Sequence, residues 1–298
     1  MSKFRKIVCV DYTKLEPWAL EELQAYSEER IDVYDDHPSS KEEILRRIGD
    51  ADAVLVSWKT KISEEIIEQC SNLGYIGMAC SLYDDASANV AVNFARSRGI
   101  AVTGIKDYGD PGVAEFITSE LIRLFHGLGD HRWREMPVEM TNRKIGIIGL
   151  GNTGKLVAKC LQPFGPDLFY YSRTRKKELE SNISYLPLDE LLQTVDVITI
   201  HLPRNTLLLK APQFDLFGTG KILINTSLGL PFEEEAFAEW IKREGNFAIF
   251  DGDGKKELSA KTENLPRVIT ATKSAGWAKE TQQRLSEKVL ENLKDFLG

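Results

Sequence analysis

Short apolar runs rich in β-branched residues recur along this chain. Stretches with apolar positions at helical spacing separate them. Ile7–Val10, Ile31–Tyr34, Ala53–Ser57, Tyr75–Met78 and Ile100–Thr103 predict five strands. Between them, Leu20–Glu29, Ser40–Ile48, Ser63–Gln69 and Asp85–Ser97 predict helices. Ser40 and Glu43 stand at capping-box spacing at the head of the second helix. A second series begins at Lys144, with strands at 144–149, 167–171, 196–200, 221–225, 247–251 and 267–271. Gly109–Leu128 reads as a helix connecting the two series, and Lys279–Leu297 as a long amphipathic helix closing the chain. Strand and helix alternating throughout predict an α/β architecture of two doubly wound parallel-sheet domains. Ligands of such sheets bind beyond the carboxyl ends of the strands, so a cleft between the domains is the expected site.

One junction in the second series carries chemistry. The apolar run Lys144–Gly149 leads into Gly149, Gly151 and Gly154, spaced as G-x-G-x-x-G, and a helical pattern follows over Lys155–Phe164. In such a turn the first glycine permits the tight bend. The second lets a pyrophosphate approach the backbone, and the third lets helix and strand pack closely. The phosphates then meet the free N–H groups of the helix N-terminus, here Gly151, Asn152, Thr153 and Gly154. The next strand ends at Ser172, where an NAD site commonly carries Asp or Glu for the ribose 2′-hydroxyl. Ser172, Arg173, Thr174 and Arg175 can instead bind a 2′-phosphate, which a carboxylate would repel. NADP(H) is therefore the preferred cofactor, with NAD(H) possible.

Composition narrows the class. The 298 residues suit two domains, and 42% hydrophobic with 28% charged residues is ordinary for a globular protein. A net charge of −7 argues against nucleic acid as a partner. Cys9, Cys70, Cys80 and Cys160 are scattered in apolar patterns, with neither metal spacing nor a disulfide framework. No signal peptide or membrane-spanning run stands out, so a cytoplasmic protein is expected.

A series of segments in order resembles the D-isomer-specific 2-hydroxyacid dehydrogenase family over nearly the whole chain. They are Arg98–Thr103, Val113–Glu115, Trp133, Gly149–Gly154, Asp196–Pro203, Ile224–Gly229, Asp251 and Ala271–Trp277. The Ser172–Arg175 segment is similar to that of the NADP-using glyoxylate and hydroxypyruvate reductases of the family. The resemblance implies a Rossmann nucleotide-binding domain over 109–276, inserted in a flavodoxin-like catalytic domain made of 1–108 and 277–298. It implies cofactor contacts from His201, Leu202, Pro203 and Asn205, and from Thr226, Ser227 and Asp251 on the nicotinamide side. It also implies a homodimer, although Glu115 and Gly149 stand only 34 positions apart, closer than in the usual family layout.

The catalytic positions depart from the family. The arginine that binds the substrate carboxylate is Leu228 here, and the histidine acid is Lys273. The glutamate that orients the histidine falls on Lys256, with Glu257 beside it. A desolvated lysine can donate a proton, and Glu257 could hold it. Lys59, Tyr83 and Tyr108 are candidates to line the substrate cleft. Two readings stay open. One is an NADP(H)-dependent oxidoreductase acting on a small carbonyl or hydroxy compound with Lys273 as acid. The other is a catalytically silent NADP(H) sensor or partner-binding protein.

Overall fold

The computed structural model describes residues 2–83, 85, 88–204 and 206–298. The chain divides into two compact units, Met1–Tyr108 with Lys279–Gly298, and Gly109–Ala278.

The first unit holds strands β1 (Ile7–Cys9), β2 (Asp32–Val33), β3 (Ala53–Val56), β4 (Tyr75–Ser81) and β5 (Ala101–Ile105). They form one parallel sheet in the order β2-β1-β3-β4-β5. The period of two along each strand divides the core into two layers. Val8, Val54, Val56 and Ile76 face a layer with Ile44, Ile48, Ile66 and Ile67. Ile7, Cys9, Leu55 and Tyr75 face a second layer. The helix Lys279–Leu297 covers that second layer with Leu285, Val289, Leu290 and Leu293, which brings the far end of the chain into this unit.

The second unit holds β6 (Lys144–Ile148), β7 (Asp167–Tyr171), β8 (Ser184–Tyr185), β9 (Val197–Ile200), β10 (Ile222–Asn225), β11 (Phe247–Phe250) and β12 (Val268–Thr270). The order is β12-β11-β10-β9-β6-β7-β8, again all parallel. From β6 the chain winds outward to β7 and β8. It then returns to the other side of β6 to lay down β9. The switch point between β6 and β9 is where open α/β sheets take their ligands.

Three local expectations are corrected. Of the helix expected over 85–97, residues 86 and 87 lie outside the described residues, and the described part forms a helix over Val92–Ser97. Before it, Val90 bridges to Ile62, with Ile62 N–H donating to Asn89 O at 2.9 Å and Ala91 N–H to Ile62 O at 2.9 Å, so tertiary pairing holds this stretch extended. The helix expected over 20–29 is Pro17–Leu23, followed by one tighter turn at Gln24–Tyr26. At Ser40 half of the capping box forms. Its Oγ accepts from Glu43 N–H at 3.2 Å, but the Glu43 carboxylate accepts from Ser39 N–H at 2.7 Å. β8 has two residues, too few to show a period, and escapes a sequence reading.

The four cysteines are free, and burial pushes the Cys9 and Cys80 thiols up to about 12. Among the described residues no helix is long and apolar enough to cross a membrane, and no cluster of His, Cys, Asp or Glu is placed to hold a metal.

A buried carboxylate organises the carboxyl edge of the first sheet. Asp11 is fully buried, and Oδ1 accepts from Ser57 N–H at 2.8 Å. Its Oδ2 accepts from Ser57 Oγ at 2.6 Å and Thr60 Oγ1 at 2.5 Å, and faces His37 Nδ1 at 3.3 Å. Asn89 Nδ2 then donates to Ser57 O and Thr60 O. Asp11→Ala leaves these buried donors unpaired and is expected to destabilise the chain by at least about 3 kcal/mol, read by urea unfolding. A loss below about 1 kcal/mol would show that the Ser57–Thr60 turn holds itself.

Candidate active site

The turn after β6 is shaped by two carbonyl oxygens. Gly149 has φ +95°, and a Cβ there would lie 2.3 Å from His201 O. A Cβ on Gly154 would lie 2.1 Å from Gly149 O. Neither position admits a side chain without moving backbone. Gly151 differs, because a Cβ there meets nothing within 4 Å. It stands in open space as the N-cap of the helix Asn152–Leu161. That opening, beside unpaired helix N–H groups, fits a dinucleotide pyrophosphate. Thr153 Oγ1 is already engaged, donating to Asp110 Oδ1 at 2.6 Å, so Thr153 offers a phosphate its backbone N–H.

The segment after β7 separates its two arginines. Arg175 makes a two-pronged pair with Glu180, Nε at 2.8 Å and Nη2 at 2.7 Å, and lies over the Tyr185 ring. Glu180 thus holds Arg175 and raises its pKa further, so this residue is a strut of the loop. Arg173 is exposed, and no hydrogen bond or ion pair engages its guanidinium among the described residues. Ser172 Oγ donates to Thr174 O at 2.7 Å, closing the loop on itself.

On the other side of the switch point, polar side chains tie the strand ends together. Ser227 Oγ donates to Ile200 O at 3.0 Å and accepts from Leu202 N–H at 3.1 Å, joining the ends of β9 and β10. Asn225 is fully buried and donates through Nδ2 to Gly229 O at 3.3 Å and Gly254 O at 3.5 Å. Asp251 accepts from Gly254 N–H and Ala275 N–H, both at 2.7 Å. Burial pushes the Asp251 carboxyl above its usual range, and the two backbone donors oppose that shift. Ser227 and Asp251 therefore position the loops with their side chains. Thr226 and Pro203 lie at the same edge, and Asn205 lies outside the described residues.

His201 closes the β9 end. Its Nε2 meets Thr199 Oγ1 at 3.0 Å, and burial lowers its pKa to about 4, so the ring is neutral at physiological pH. It lines the turn and is not a proton donor there.

The catalytic candidates follow β10, β11 and β12. Leu228 is 51% exposed, with no charge to offer a carboxylate. Lys273 is exposed, while its carbonyl accepts from Gly252 N–H at 2.8 Å. Glu257 does not pair with it. Its Oε1 lies 3.4 Å from Arg204 Nη2, and its Oε2 lies 3.1 Å from where a Gly229 Cβ would stand. Lys256 turns to Asp253. The expected Lys273–Glu257 pair is thus replaced by Arg204–Glu257, because the loop after β11 carries Glu257 toward the β9 and β10 ends.

Lys59, Tyr83 and Tyr108 belong to the first unit. Lys59 Nζ lies 5.9 Å from the Trp58 ring, and Tyr83 is 58% exposed under Lys106 Nζ at 5.8 Å. Tyr108 O accepts from Arg284 Nε at 2.8 Å. Sequence reasoning missed Arg204, Asn225 and Asp110. Asn225 lies within Ile224–Gly229, but nothing in its residue type reveals that it bridges Gly229 O, Gly254 O and, through Oδ1, Ser227 N–H. Arg204 follows Pro203 as an ordinary loop cation, and its partner is distant in sequence.

Two glycines separate folding from binding. Gly154→Ala is expected to destabilise the second unit by about 2 kcal/mol or more, read by thermal unfolding. Gly151→Ala has room and should leave stability within about 0.5 kcal/mol, while weakening nicotinamide dinucleotide binding in a fluorescence titration. Equal melting losses for both would refute this division. His201 adds a pH effect. Its folded pKa lies below the unfolded value, so the stability of the neutral ring is fully present at pH 7 and is lost as pH falls through about 6.5 toward 4. His201→Gln should flatten that part of the stability–pH curve, whatever its effect at pH 7.

Comparison with known proteins identifies the family. Residues 118–273 match the family model described as D-isomer specific 2-hydroxyacid dehydrogenase, NAD binding domain. The chain is 30% identical to a hydroxypyruvate reductase of Blautia hydrogenotrophica, covering 98% of this chain and 97% of that protein. It is 27% identical to a glyoxylate reductase of Korarchaeum cryptofilum, covering 88% and 84%. Among solved structures, an acyclic imino acid reductase in complex with NADPH and D-arginine superposes with a TM-score of 0.78 at 25% identity, covering 98% and 97%. The matched model spans more than half of the chain and includes the glycine turn, the loop after β7 and the β9–β12 edge: this chain belongs to the D-isomer specific 2-hydroxyacid dehydrogenase family.

Proposed function

We propose that this chain is an NADP(H)-dependent reductase of small 2-oxo acids or related carbonyl compounds, with Lys273 as the proton donor. One observation carries the cofactor choice. At the end of β7, where a carboxylate would select the ribose hydroxyl, the chain has Ser172 and an exposed, unengaged Arg173. Arg173 would take the 2′-phosphate with the hydroxyl of Thr174, while Ser172 Oγ, donating to Thr174 O, shapes the loop. Arg175 is bound to Glu180 and contributes by stiffening the loop. The N–H groups at Gly151–Gly154 would hold the pyrophosphate. His201, Leu202, Pro203, Thr226 and Ser227 would line the remainder, and Asp251 would fix the loop beneath.

When bound, the cofactor would supply a hydride to the carbonyl carbon. The chain must then supply a proton to the carbonyl oxygen, and neutral His201 does not. Lys273 follows β12 at the same edge of the sheet, exposed and without an ion pair among the described residues. Its Nζ would donate that proton, an aid worth roughly 10²–10⁴-fold. Two of the curated relatives are named as a hydroxypyruvate reductase and a glyoxylate reductase, which favours a short 2-oxo acid. A structural neighbour is an imino acid reductase, which puts 2-imino acids among the compounds to test.

The test is NADPH binding by fluorescence, followed by NADPH oxidation with 2-oxo acids, aldehydes and 2-imino acids. Turnover is expected, and Lys273→Ala should lower kcat about 10²-fold or more. Arg173→Ala should weaken NADPH about 10- to 100-fold and leave NADH nearly unchanged. Equal losses for both cofactors would overturn the 2′-phosphate assignment. Tight NADPH binding with no turnover on any compound would favour the silent sensor.

A further inference from the structure

The carboxyl edge of β9, β10 and β11 carries a guanidinium that the catalytic reading leaves unused. We propose that Arg204 is the residue that binds the substrate carboxylate, with Glu257 as its resting counter-ion. This rests on the reductase function proposed above.

Few cations on that edge are left to meet a substrate. Lys255 pairs with Glu263 at 2.8 Å, and Lys256 turns to Asp253. Lys273 is assigned to the proton. Arg204 remains, four residues beyond the end of β9, with its side chain half exposed. A guanidinium has five N–H donors in a planar fork that matches a carboxylate, which a lysine ammonium does not. Among the described residues one contact engages it, a single 3.4 Å approach of Nη2 to Glu257 Oε1. An exposed pair of that length contributes little, so opening it costs little.

The position of Glu257 suits the role. Its other oxygen sits over Gly229, 3.1 Å from where a Cβ would be, so the carboxylate rests against the loop that begins beyond β10. Leu228, immediately before that glycine, brings no charge. Arg204 and Glu257 therefore place one cation and one displaceable anion where the β9, β10 and β11 loops converge. A 2-oxo acid carboxylate competes with Glu257 for the fork and gains the donors Glu257 leaves idle.

The probe is oxamate, an unreactive 2-oxo acid mimic, titrated into the NADPH-loaded protein by fluorescence. NADPH affinity is measured alongside for wild type, Arg204→Leu and Glu257→Gln. Arg204→Leu should weaken oxamate about 10- to 100-fold and leave NADPH affinity unchanged. Glu257→Gln removes the competitor and should tighten oxamate about two- to fivefold. Opposite shifts from two partners of one ion pair are not what simple misfolding produces. No oxamate binding by wild type, oxamate affinity indifferent to Arg204, or a parallel loss of NADPH affinity each overturns the proposal. The last would make Arg204 a cofactor-phosphate ligand. The titration requires no turnover, so the two readings fail separately. Oxamate held by Arg204 with no NADPH oxidation sinks the reductase reading alone, whereas turnover with oxamate indifferent to Arg204 sinks this one alone.

Discussion

Two backbone oxygens set the geometry on which the second unit depends. His201 O crowds Gly149 and Gly149 O crowds Gly154, each closer than any side chain tolerates. These contacts hold the end of β6 against the end of β9 and seat the helix Asn152–Leu161 on the sheet. They do so at the point where the strand order reverses. The opening at Gly151 exists because its neighbours on either side are fixed. A phosphate site built this way needs little reorganisation, since the N–H groups that would receive the anion are already oriented by the helix.

The remaining loops are fixed by buried side chains. Asn225, Ser227 and Asp251 spend their polar atoms on backbone groups from β9, β10, β11 and the segment after β12. Each lost contact would strand a buried donor or acceptor, which is more costly than the contact itself is favourable. The exposed residues on those loops, Arg204, Leu228, Glu257 and Lys273, can vary while the frame stays. That division lets the exposed loop residues differ without disturbing the nucleotide turn or the strand edges. Asp11 gives the first unit a comparable device, joining the β1 end to the Ser57–Thr60 turn.

Charge pairing sorts otherwise similar residues into roles. Arg173 and Arg175 are two positions apart, yet Glu180 occupies the second and leaves the first to solvent. Glu257, which the chain order offers to Lys273, lies instead on Arg204. His201 sits at a site edge but is kept neutral by burial. In each case the environment of the side chain decides what it can do, and its type sets only the range of choices.

By itself the sequence determined the two α/β series, the parallel sheets and the glycine turn. Their signals are local: a period of two or 3.6, a glycine spacing, a missing carboxylate after β7. The match of Lys279–Leu297 to its helix shows how far such a signal reaches. Tertiary structure decided the rest. β8 exists because β7 offers it an edge, and residues 89–91 are extended because Ile62 pairs with Val90. The partners of Arg175, Glu257 and Asn225 come from folding, because ion pairs and buried hydrogen bonds join residues by position in space. No pattern along the chain records which donors remain once those bonds are made.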